Sequence, residues 1–138
     1  MQFAQLCDRV EVDPAQVRFI EPQDLVGTWV NSNPDTAGVA RMVISDDEGK
    51  LSIRSFAVAQ GDLVDWGTAD LTLFASLPSA QVPAGFTCRY DFGFAEIVFQ
   101  AMIMKGLIVL AQFHTFKDDS KRSPFFVREY FALEHGRR

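Results

Sequence analysis

Asp24-Leu25-Val26-Gly27-Thr28-Trp29-Val30-Asn31 opens a run of strand-like segments that continues almost to the end of this 138-residue chain. From Val26 onward the sequence is cut into short apolar or alternating segments bounded by Gly, Pro, Asp and Asn, the signature of strands joined by turns. Eight strands are expected, at approximately Val26 to Asn31, Val39 to Ser45, Leu51 to Ala59, Thr68 to Ala75, Phe86 to Asp91, Phe94 to Met104, Leu107 to Phe116 and Phe125 to Leu133. Asp46-Asp47-Glu48-Gly49, Phe92-Gly93, Lys105-Gly106 and Asp118-Asp119-Ser120-Lys121 supply residues that tolerate positive φ or cap their own backbone, so neighbouring strands should form antiparallel hairpins. A small residue two positions before a tryptophan at the first strand of such a meander points to a closed barrel. The longer connections, Asn33 to Gly38 and Ser76 to Gly85, carry prolines and small residues and are expected at its open end.

Upstream of this run the periodicity is helical. Phe3, Leu6, Cys7 and Val10 fall on one stripe at i, i+3, i+4 and i+7, and Asp13-Pro14 followed by Gln16 has the form of a helix N-terminus. Glu21-Pro22 ends that pattern. The expected organisation is a single domain over 1–138, with a helical or irregular segment over 1–24 and a barrel over 25–134.

Alternation assigns the faces. Leu51/Ile53/Ala57, Ala69/Leu71/Leu73/Ala75, Phe86/Cys88/Tyr90, Ala95/Ile97/Phe99/Ala101/Ile103, Leu107/Val109/Ala111/Phe113 and Val127/Phe131/Leu133 recur at period two and are assigned to the interior. Arg54, Asp70, Arg89, Glu96, Gln100, Gln112, His114 and Arg128 then face outward, together with Phe74, Met102, Phe126 and Tyr130. That much apolar area on an outer face suggests a covering helix or a second subunit, and a homodimer is expected. Between Leu107 and Phe116 both faces are apolar, and a slip of one residue would turn Gln112 and His114 inward.

Composition narrows the function classes. Eighteen acidic against thirteen basic residues give a net charge of -5, which disfavours nucleic acid. No apolar run approaches the roughly 20 residues of a membrane-spanning helix, and no signal-peptide pattern stands at the N-terminus, so a soluble, cytoplasmic protein with no membrane partner is expected. The two cysteines, Cys7 and Cys88, form no CxxC pattern and read as buried or partly buried thiols. The two histidines, His114 and His135, are too few for a three-histidine zinc site. Asp65-Trp66-Gly67, with Asp62 just before, lacks EF-hand spacing and reads as a turn in which Trp66 plugs one end. No GxSxG, HExxH, P-loop or GxGxxG segment is present, so neither metal nor cofactor is expected and enzymatic activity is the third choice behind a binding protein and a structural or interaction module.

The Gly27-x-Trp29 step at the first of eight strands resembles the lipocalin (calycin) barrels, and Gly27-Thr28-Trp29-Val30-Asn31 also matches the opening of avidin-type barrels. Leu25 to Leu133 as a whole is similar to a group of bacterial lipocalin-like proteins of unknown function, in which a strand ends in an Asp-Trp-Gly step. The resemblance implies an eight-stranded antiparallel up-and-down barrel in which Gly27 and Trp29 close the narrow end and Arg128 stacks across the indole; a solvated Arg128 is the alternative. It does not carry biotin binding, because the loop after Asn31 and the later tryptophans of that family are missing. A relative of nitrobindin type would use a histidine such as His114 as a haem ligand, but a satisfied surface histidine is the preferred reading.

Glu129 is the residue that alternation leaves in the wrong place, pointing inward from an apolar strand. A buried carboxylate must be paired, hydrogen-bonded or protonated. With Tyr90 it would form a polar anchor for a small, largely apolar ligand inside the barrel; the structural alternative places it at a bulge or rim that reaches water. The competing function class is an interaction module, its barrel filled by its own side chains and its apolar outer face forming the homodimer.

Overall fold

The computed structural model describes residue 20 and residues 22–135. The helix expected near the N-terminus falls on residues outside that range. A 3-10 turn, Gln23–Leu25, leads into β1 (Gly27–Asn31), β2 (Val39–Asp47), β3 (Lys50–Ala59), β4 (Asp62–Asp70), β5 (Thr72–Ala75), β6 (Pro83–Asp91), β7 (Ala95–Met104), β8 (Leu107–Phe116) and β9 (Phe125–Leu133). All belong to one antiparallel sheet in the order β4-β3-β2-β1-β9-β8-β7-β6-β5. No helix among the described residues is long and apolar enough to cross a membrane.

The all-β reading holds, with two corrections. The sheet has nine strands rather than eight, and its ladder does not close into a ring, because β4 and β5 form the two edges and do not pair with each other. Both corrections trace to one stretch. A hairpin turn at Gln60-Gly61, not among the turns expected, starts β4 at Asp62, and the strand expected over Thr68 to Ala75 is divided at buried Leu71. Before Leu71 the chain pairs with β3; after it, with β6. The Asp65-Trp66-Gly67 turn is likewise corrected: Trp66 and Gly67 lie within β4 as a bulge opposite Ser55, with Gly67 at φ 85°. Edge strand β4 instead meets β6, next to the other edge, since the Tyr90 hydroxyl donates to Gly67 O at 2.9 Å and the Trp66 ring meets Tyr90 edge-on at 5.6 Å.

Two-residue turns set the register. In Lys105-Gly106 both residues have positive φ, 52° and 78°, the backbone that matches strand twist and that glycine adopts without strain. Met104 therefore pairs with Leu107, Ile103 with Ile108, Ala101 with Leu110 and Phe99 with Gln112. This corrects the assignment of β8: Ile108, Leu110 and Gln112 face the core, whereas Leu107 and Phe113 face out. Met42, Ile44, Ile53, Phe86, Phe99, Ile108, Leu110 and Phe131, none more than 1% exposed, fill the middle of the curled sheet.

Antiparallel pairing sends successive connections to alternate ends. The 32–38 connection and the Gln60-Gly61 turn share one end with the 92–94 and 117–124 connections. The start of β1, the Glu48-Gly49 and Lys105-Gly106 turns and the 76–82 connection lie at the other. The two long loops, expected together, thus stand at opposite ends. At the second end Trp29 is buried, donates from Nε1 to Leu25 O at 2.8 Å and pairs across the ladder with Leu133. Gly27, at φ 145°, occupies backbone space that side chains avoid, and a Cβ there would come within 2.9 Å of Leu133 Cδ1. Arg128 is exposed and pairs with Ala111, toward the other end of β9 from Leu133. Among the described residues the cations over aromatic rings are Arg54 and Arg122, so the expected Arg128–Trp29 stack is not formed.

Candidate ligand-binding site

At the end opposite Trp29 the strands enclose an open-mouthed cavity of about 780 Å³. Its floor is polar. Asn33-Pro34-Asp35-Thr36 forms a turn in which the Thr36 N–H donates to Asn33 O at 3.2 Å and the Asp35 N–H to Asn33 Oδ1 at 3.0 Å. Proline after asparagine suits such a turn. It folds Thr36 back over β9, where Oγ1 donates to Glu129 Oε2 at 2.6 Å while accepting the Gly38 N–H at 3.1 Å.

Asn31, the last residue of β1, donates from Nδ2 to the same Glu129 oxygen at 2.7 Å and to Val39 O at 2.9 Å. Its Oδ1 accepts the Asn33 N–H at 2.8 Å, which fixes the orientation of the amide. From β8, Gln112 Nε2 reaches the other oxygen, Glu129 Oε1, at 3.4 Å. Gln112 Oε1 faces His114 Nε2 at 3.4 Å, an arrangement that puts the imidazole proton on Nε2. Burial lowers the pKa of His114, and its ring stacks on Phe125 with centroids 4.4 Å apart. Asn31, Thr36 and Gln112 are buried and Glu129 is half-buried.

The walls are largely apolar, formed by Ala57 and Val58 of β3, Val64 and Trp66 of β4, and Phe125 and Val127 of β9. Trp66 is backed by Tyr90, Phe92 and Phe99, which hold its ring from behind. Asp35 and Arg128 are the charged residues of the lining besides Glu129.

The predicted anchor pair is not brought together. Tyr90 is buried elsewhere, its hydroxyl within bonding distance of Ser55 Oγ at 3.1 Å, Ile53 O at 3.3 Å and Gly67 O at 2.9 Å, and burial pushes its pKa up to about 12. It braces β4 against β6 and does not line the cavity. Glu129 does line the cavity, with partners that alternation does not name. Asn31 and Thr36 carry a signal only in their position around the Asn33-Pro34 turn; Gln112 and His114 carry one in the register that Lys105-Gly106 imposes. Cys88 is a buried thiol whose pKa burial raises to about 12, far from thiolate chemistry at neutral pH. Among the described residues no group of three or more His, Cys, Asp or Glu side chains is placed to hold a metal ion.

No family model matches the sequence, and comparison with curated proteins and with solved structures yields no match. The arrangement is that of a fixed acceptor at the bottom of an apolar cup. Thr36 Oγ1, the only hydroxyl of the lining among the described residues, is engaged both as donor and as acceptor.

Proposed function

We propose that this protein is a lipocalin-like binding protein that holds a small, largely apolar molecule in the cavity above Glu129, with the molecule's polar end on that carboxylate. The observation that carries the reading is the pairing of a cavity of about 780 Å³, within the range of roughly 300–1,000 Å³ usual for small-molecule sites, with one oriented carboxylate at its floor. Glu129 is positioned by three neutral donors while its surroundings remain open enough to admit a guest. The soluble, cytoplasmic setting expected from the sequence is part of the same reading.

A native mass spectrum of protein purified from its host tests the reading. The expected spectrum shows added mass that is lost on denaturation. Bare chain only, together with an unchanged Tm across a panel of amphiphiles and apolar compounds, would overturn it.

A second reading, a homodimer acting through its outer face, is favoured by one observation. Phe74, Met102, Phe113, Phe126 and Tyr130 stand exposed on the strands from β5 to β9, and Phe113 stacks on Phe126 with centroids 5.8 Å apart. Sedimentation velocity should then give a dimer mass that falls on dilution. A monomer at every concentration would remove that second reading and leave the first intact.

A further inference from the structure

We infer that the ligand of this cavity presents a protonated amine to Glu129, an inference that rests on the binding reading above and specifies its chemistry. Among the described residues, every side chain that donates to the Glu129 carboxylate is neutral: the Asn31 and Gln112 amides and the Thr36 hydroxyl. Neutral donors orient a carboxylate without offsetting its charge. Among the described residues no Lys, Arg or His nitrogen forms an ion pair with it, although ion pairs elsewhere engage Arg41, Lys50, Arg54, Arg89, Lys117 and Arg122. A half-buried carboxylate with no ion-pair partner among the described residues is a site that a cation completes.

The two oxygens are unequally occupied. Oε2 accepts two short bonds, at 2.6 and 2.7 Å, whereas among the described residues Oε1 accepts only the 3.4 Å contact from Gln112, leaving acceptor capacity on that side. Gly38 stands beside Oε1. Its φ is not in the left-handed region, so its lack of a side chain is a matter of space, and a Cβ there would come within 3.2 Å of Oε1. The other titratable and charged lining groups fit the same guest. His114 is held toward its neutral form by burial, Asp35 adds a second negative charge, and Arg128 contributes the single opposing one. Trp66 and Phe125 in the lining supply aromatic surface that suits an apolar body. A carboxylate-headed amphiphile would instead set two like charges together.

Isothermal titration with octylamine, octanol and octanoate separates these cases, since the three share one apolar chain and differ in the head group. Wild-type protein should bind octylamine about tenfold or more tightly than octanol and octanoate least, the difference being that of a charge-assisted hydrogen bond. Glu129→Gln should remove that preference, bringing octylamine and octanol to within about threefold of each other whatever their absolute affinities. Octanol or octanoate binding as tightly as octylamine would overturn the amine inference and leave the binding reading standing. Binding of none of the three would count against both. The wild-type series needs no variant, so the test survives if Glu129→Gln fails to fold.

Discussion

The two tryptophans of this chain occupy opposite ends of the curled sheet and do different work. Trp29 is 3% exposed and its indole N–H is spent on Leu25 O, so the polar group of that ring is satisfied within the protein, beside a smaller cavity of about 430 Å³. Trp66 is only partly buried and forms a wall of the cavity above Glu129, where polar side chains converge on a charge that no cation offsets among the described residues. On the proposed reading Trp29 contributes chiefly stability, whereas the carboxylate beside Trp66 is where binding energy is available.

Substitutions at each end should therefore separate stability from binding. The largest effect is expected from Trp29→Ala, which removes a buried ring and should lower unfolding free energy by about 3–5 kcal/mol in urea titration, with ligand affinity retained by the molecules that remain folded. Thr36→Val keeps the shape of the side chain but strips Glu129 of its shortest bond and Gly38 N–H of its acceptor, and should cost about 1–3 kcal/mol. Unlike Trp29→Ala, it should also weaken the ligand. Gly38→Ala should change stability by less than about 1 kcal/mol, because its backbone is not in the left-handed region, yet reduce amine affinity by crowding Oε1. Calorimetric titration beside thermal melts would show whether the two readouts part as expected.

The smallest effect concerns pH. Burial depresses the pKa of His114 in the folded protein below its ordinary 6.5, so below that pH the unfolded chain binds a proton that the folded one resists. Stability contributed by this group is full above pH 6.5 and is lost as pH falls through the depressed folded value. His114→Gln should flatten the slope of Tm between pH 7 and pH 5.5, above the range in which the surface carboxylates Asp65, Asp91 and Asp118, all held below the usual carboxylate range by hydrogen bonds, are protonated. An unchanged slope would mean that the histidine is not held neutral by its site.

Much of this contrast is legible in the amino-acid sequence. Alternation marks Glu129 as the misplaced residue, and Trp29 reads as a plug, its burial resting on a nearby carbonyl. The register of β8 is also legible in principle: once Ala95 to Ile103 are assigned inward, a two-residue turn at Lys105-Gly106 obliges Ile108, Leu110 and Gln112 to follow. Apolar residues on both faces hide that constraint from alternation alone. Two features are beyond reach. The corner at Leu71 depends on which neighbours claim the chain on either side, a property of the whole sheet. The Thr36–Glu129 bond spans 93 positions, and nothing local to either residue encodes it.

The most direct test uses the two indole N–H resonances in a proton–nitrogen correlation spectrum during titration with octylamine. The Trp66 signal should shift progressively to saturation, along with amide signals of Gly38, Gln112 and Glu129, while the Trp29 signal stays in place. A saturating shift at Trp29 with none at Trp66 would contradict the assignment of the two ends.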